Sequence, residues 1–164
     1  MEFTNINYDS YIKTDEVKFV LTKSTPLTQS VKHIVDDAKR VGKYIPSYVR
    51  KATNAYVVTD TGFVYESYLS IELLLKRFKE CGKDFVMLSS GNYISAGHIS
   101  AVLAYTQTLV VKYGEKAGIT NNVLQFVRQS GGKNSVILTT DNEMICLSED
   151  TSAIVKELKA LNKQ

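Results

Sequence analysis

Between Lys39 and Lys51 the chain carries five cations, Lys39, Arg40, Lys43, Arg50 and Lys51, with no acidic residue among them. Tyr44 and Tyr48 are interleaved with them, four residues apart, so in an extended strand both rings fall on one face. Cations that follow a phosphate backbone, set beside aromatic faces on which bases stack, are the chemistry of a nucleic-acid surface. A structural account competes for part of this cluster. Lys39, Arg40 and Lys43 close an amphipathic helix, where positive charge opposes the helix dipole favourably whatever the protein binds.

Other chemistry is harder to assemble. The two histidines, His33 on a helix and His98 in a strand region, stand in no ligand-like spacing, and the simplest places for them are the helix surface and a strand edge. Asp36-Asp37 reads as solvated helix surface. Cys81 and Cys146 are too few for a zinc site and do not suggest a secreted disulfide framework. Ser130-Gly131-Gly132-Lys133-Asn134-Ser135 misses the phosphate-loop pattern twice, having Val127 where a glycine is needed and Asn134 where a hydroxyl is needed. It reads instead as a turn exposing Lys133, able to touch a phosphate backbone. No nucleophile comes with its base, so no enzyme, metal or cofactor is expected.

The elements that must position these residues follow from periodicity. Phe3 to Leu21 predicts two strands around the turn Asn7 to Ser10, the second a half-buried edge in which Val17, Phe19 and Leu21 alternate with Lys18 and Val20. Ser24-Thr25-Pro26 opens a helix whose apolar stripe is Leu27, Val31, Ile34, Val35, Ala38 and Val41, and Gly42 ends it. Tyr44 to Lys51 alternates as an extended segment, with Pro46 placing it at a sheet edge. Ala55 to Thr59 and Phe63 to Ser67, separated by Asp60-Thr61-Gly62, form a hairpin. Ser70 caps a helix with the stripe Ile71, Leu74, Leu75 and Phe78, ended by Gly82.

The same pattern then recurs. Asn54 to Phe78 lies over Asn134 to Leu158 at an offset of eighty, and Tyr11 to Leu21 lies over Tyr93 to Leu103 at eighty-two. In the second copy, Phe85 to Leu88 and Tyr93 to Leu103 are the first strands and Leu109 to Ala117 is a helix weakened by Gly114. Strands follow at Val123 to Gln129, Val136 to Thr139 and Met144 to Leu147, with a last helix at Thr151 to Leu161. The expected architecture is α+β, two tandem β-β-α-β-β-β-α units at 1–82 and 83–164 packed as a pseudo-two-fold fused dimer.

Composition agrees with a folded chain. Of 164 residues, 44% are apolar and 23% charged, and no apolar run reaches membrane-spanning length. The first residues lack a basic segment followed by an apolar one, so no signal peptide is read there and the cytoplasm is the expected compartment. The net charge of +3 lies in residues 1–83, with 13 Lys and Arg against 10 Asp and Glu.

Three stretches resemble a known family, the Rem-type extracellular-matrix regulators of spore-forming bacteria. Gly91-Asn92-Tyr93-Ile94-Ser95-Ala96-Gly97-His98-Ile99 is similar to the family's G-N-x-I/V-S-A-N-R-M/I. The stretch from Val31 to Gly42 resembles its I-K-R-x-I-x-D-A-R-x-x-G helix, and Thr53 to Asp60 resembles its T-R-A-V-V-V-x-D strand. The resemblance implies a LytTR-like DNA-binding fold, double-stranded DNA as partner, transcriptional regulation of biofilm matrix genes and self-association into a ring or higher oligomer. It places the phosphate contacts at Arg50 and Lys51 and, in the second copy, at Arg128 and Lys133, with Lys39, Arg40 and Lys43 adding long-range attraction and Tyr44 and Tyr48 as stacking candidates. The family's S-A-N-R arginine falls on His98 and, through the repeat, on Glu16. That departure supports a second expectation, an oligomerisation module that has lost its DNA surface and modulates related single-unit proteins.

Overall fold

The computed structural model describes residues 2–23, 29–47, 50–113, 123–127 and 132–161. The chain is α+β and divides into two compact units, Met1–Ser95 and Ala96–Gln164.

The first unit is built on a six-stranded sheet. Its strands are β3 (Val17–Thr22), β4 (Tyr44–Ile45), β5 (Ala55–Thr59), β6 (Val64–Ser67), β7 (Phe85–Ser89) and β8 (Asn92–Ser95), in the order β4-β6-β5-β3-β8-β7. β4 runs parallel to β6 and every other neighbouring pair is antiparallel. A separate hairpin, β1 (Phe3–Asn5) with β2 (Tyr11–Lys13), precedes it, joined to β3 by a 3-10 turn at Thr14–Glu16. Thus β7 and β8, beyond the expected boundary at residue 82, complete the sheet of the first unit.

This pairing corrects the expectation that β3 is a half-buried edge. It lies inside the sheet between β5 and β8, and residues 17–21 are all buried, Lys18 included at 1% exposure. An alternating pattern marks an edge only when one face meets water, and here both faces are covered. On one face, Val17, Val20, Ala55 and Val57 share a core with Ile6 and Ile12 of the first hairpin and with Leu74 and Phe78 of α2 (Ile71–Glu80). Burying a side chain of this size stabilises by about 1.5–3 kcal/mol. Ser70 caps α2 by accepting from the Leu73 N–H at 3.2 Å, as its sequence position suggests.

The first helix, α1, is described over Gln29–Arg40; its expected start at Ser24-Thr25-Pro26 lies outside the described residues. Val31, Val35 and Ala38 are buried, and Lys32, His33, Asp36, Asp37, Lys39 and Arg40 are exposed. Val41 departs from the expected stripe: it falls beyond the helix and is 49% exposed. Gly42 follows at φ +76°, where a glycine ends a helix without the penalty a Cβ brings. The extended run from Tyr44 is far shorter than expected, ending at Ile45, because Pro46 has no N–H to continue the ladder.

The second unit has a four-stranded sheet of β9 (Ile99–Ala104), β10 (Val123–Phe126), β11 (Ser135–Thr139) and β12 (Met144–Leu147), in the order β10-β12-β11-β9. β10 is parallel to β12, as β4 is to β6. The run from Tyr93 to Leu103 is broken by a 3-10 turn at Ala96–His98, where His98 is buried rather than at a strand edge. The expected helix from Leu109 is described over Leu109–Tyr113, where it is π-helical, and residues 114–122 lie outside the description. α3 (Thr151–Leu161) buries Ile154.

Candidate nucleic-acid interface

The hairpins β5–β6 and β11–β12 hold the segments from which Lys51 and Lys133 project, and they share one set of bonds. The Asn54 N–H donates to Ser67 and its side-chain amide to the Tyr68 carbonyl at 2.5 Å; the Asn134 N–H donates to Leu147 and its amide to Ser148 at 2.7 Å. Thr59 and Thr139 each close their turn by accepting, on Oγ1, from the N–H of Phe63 and Glu143. Gly62 at φ +90° is matched by Asn142 at φ +66°, and asparagine is among the few other residue types that enter this region. Both turns are fixed at the far end by one more bond, Asp60 N–H to Glu16 and Thr140 N–H to His98.

The cations are held in three different ways. The ammonium groups of Lys51 and Lys133 lie 4.7 and 5.5 Å from the ring centres of Tyr68 and Tyr105, and both lysines are exposed. An exposed cation over a ring gains about 0.5–1 kcal/mol, enough to bias the side chain without sequestering its charge. Lys43 lies 5.5 Å from the Phe63 ring centre and donates to the Thr61 carbonyl at 2.8 Å, which ties the end of α1 to the hairpin turn. Arg40 pairs with Asp37 on its own helix, so part of its charge is met internally. Lys39 lies 4.7 Å from the ring centre of Tyr44. Arg50 is exposed beside Lys51. Arg128 and Tyr48 lie outside the described residues.

Tyr44 is half-buried and engaged. Its hydroxyl donates to the Glu66 carboxylate, whose other oxygen accepts from the Ser47 N–H at 2.9 Å, and its ring stands 6.4 Å from that of Tyr56. Burial, then the bond to Glu66 and its charge, drive the Tyr44 phenol far above its ordinary range. Burial would raise Glu66, but the bonds from Tyr44, Ser47 and Thr53 and the charge of Lys23 outweigh it and hold the carboxyl below its usual value. Tyr44, whose ring the sequence offers for stacking, thus has its hydroxyl bonded to Glu66, which also holds the Ser47 N–H.

Glu66 is the group that sequence reading missed. A lone acid in a β-rich run gives no sign of its partners. The aromatic platforms Phe63, Tyr68 and Tyr105 were also missed as such, because each meets its lysine across a distance in sequence.

With this geometry in view, comparison with known families is informative. Residues 3–78 match the RemA-like family model, described as extracellular matrix regulatory protein A-like. The match supports a Rem-type domain over that span. It takes in β1 through most of α2, including Lys39, Arg40, Lys43, Arg50 and Lys51. No curated protein matches the chain. Among the described residues no helix is long and apolar enough to cross a membrane.

Proposed function

We propose that this protein is a cytoplasmic regulator of matrix genes that binds duplex DNA through its phosphate backbone, as an assembly of tandemly duplicated Rem-type units. The observation that carries the reading is the pair of exposed lysines, Lys51 and Lys133, each poised on a ring next to a hairpin held by the same bonds. Arg50 stands beside the first and Arg128 near the second in sequence, so each copy presents a basic strand end. The family match over the first copy supports the regulatory role, and the shared hairpin bonds support the duplication. No side chains suited to base-edge reading stand out at helix starts, which favours backbone and shape readout, for which affinity falls steeply with salt.

Charge reversal tests this. Arg50→Glu with Lys51→Glu abolishes retention of a long mixed-sequence duplex at low salt, whereas unchanged affinity overturns the reading. A second reading is favoured by one observation: His98, which takes the place of the resembled family arginine, is buried and presents no cation at the surface. On that reading the chain is an interaction module without a DNA surface, and it assembles while failing to retain duplex even at low salt.

A further inference from the structure

The two N-terminal hairpins repeat at an offset of 82 residues, but they do not occupy equivalent places. The segments at 85–87 and 93–95 correspond to Phe3–Asn5 and Tyr11–Lys13, the turn Ala96–His98 to Thr14–Glu16, and β9 to β3. Within the chain, β8 adds to the edge of β3, with Phe19 opposite Ile94 and Val20 opposite Tyr93. Among the described residues β9 pairs only with β11, and β2 only with β1. Burial registers the difference: every residue at 17–21 is buried, whereas all of 99–104 are half-buried or exposed.

The hydrogen-bond phase of both edges suits the missing pairing. Lys23 donates to Asn54, which by alternation turns the backbone groups of Val20 and Thr22 towards β8; Thr22 N–H indeed meets the Asn92 side chain at 3.0 Å. Tyr105 donates to Asn134 in the same way, so Val102 and Ala104 direct theirs out of the second sheet. In the first hairpin, Ile6 donates to Ser10 and Thr14 to Glu2, leaving Tyr11 and Lys13 facing outward. Side chains agree. Phe85, at 5.3 Å from Phe78, and Tyr93 pack on the first core, while their counterparts Phe3 and Tyr11 are 52% and 61% exposed.

We infer that β9 of one molecule receives the β1–β2 hairpin of a second copy of this chain as an added antiparallel strand, with Val102 opposite Tyr11 and Ala101 opposite Ile12. Phe3 of the incoming copy then covers Leu158, the counterpart of Phe78. Such a contact joins two different surfaces, so it propagates head to tail and closes as a ring or continues as a filament. It specifies the self-association in the reading above and does not depend on DNA.

The test is solution mass by light scattering of the full chain, wild type and two edge variants. Val102→Pro removes an outward N–H from the accepting edge, and Tyr11→Pro removes one from the donating hairpin; proline is tolerated at such edge positions. Wild type gives a multi-chain mass and each variant alone a single-chain mass. Their mixture gives two-chain particles and nothing larger, since one intact donor and one intact acceptor remain; an unfolded variant could not restore pairing. A single-chain wild type, a multi-chain Val102→Pro protein, or a mixture that stays single-chain overturns the inference. The Arg50→Glu, Lys51→Glu protein keeps the wild-type mass, so loss of duplex retention is read separately from loss of assembly.

Discussion

β3 and β9 are both six-residue strands placed after a 3-10 turn, each paired on one side to a hairpin strand with a register shift at the same point. One is the buried centre of its sheet and the other an edge. The helices follow suit: α2 buries Leu74 and Phe78, whereas in α3 only Ile154 is buried and Leu158 is half-exposed. The difference teaches that burial in this architecture is set by which hairpin arrives beside the strand, more than by the strand's own residues.

The largest test of that contrast is a matched pair of truncations. Phe78→Ala empties a site that is fully buried and touched by Phe85, and costs about 3–5 kcal/mol in urea unfolding. Leu158→Ala, at the corresponding place and read in the single-chain Val102→Pro protein so that no second copy covers it, costs about 1 kcal/mol, because less apolar surface leaves the core. Equal losses would mean that α3 is as well covered as α2 and would remove the contrast.

A second pair sharpens the electrostatic side. Glu66 on β6 corresponds to Cys146 on β12, so a partly exposed, hydrogen-bonded carboxylate in one unit stands where a buried thiol stands in the other. Glu66 titrates below its ordinary value when folded, so its contribution is present above the usual carboxylate pKa and is lost as pH falls through the depressed one. Burial raises Cys146, partly offset by Lys133, so its contribution is present below the ordinary thiol pKa and is lost as pH rises. Glu66→Gln therefore costs about 1–2 kcal/mol at neutral pH, discounted for solvent exposure, and flattens the acid limb of the stability profile. Cys146→Ser leaves the acid limb unchanged, and an acid limb that survives in the Glu66→Gln protein would sink this account. Thiol labelling of the native protein at neutral pH modifies half-buried Cys81 and spares Cys146.

How much of this the sequence carried depends on the range of the interaction. The β5–β6 hairpin, Gly62 in its turn, the Ser70 cap and the buried Val31, Val35 and Ala38 of α1 are local matters of spacing and residue type, and each stands where the pattern places it. The interior position of β3 was not legible, because its second neighbour lies more than 70 residues downstream and any edge-like alternation is silent about such a partner. The candidate site divides in the same way. The basic cluster was visible as a run of charges, but Tyr44 bonding Glu66, and Lys133 resting on Tyr105, are contacts of high sequence separation.

The smallest expected effect is an equality. Asn54 and Asn134 each link three strands: their carbonyls accept from Lys23 and Tyr105, their N–H groups donate across the hairpin, and their amides close the segment before the next helix. Alanine at either position removes only the amide bond and keeps the backbone ladder, so each substitution costs about 1 kcal/mol and the two costs agree within about 0.5 kcal/mol. Because the two sites share no partner, the double variant should show their sum. A large cost at Asn54 with none at Asn134 would show that the shared bonds are unequal in strength, and that the likeness of the two hairpins is one of geometry alone. Agreement would place the asymmetry of the molecule where the pairing of β8 with β3 puts it, at the sheet edges and not in the hairpins.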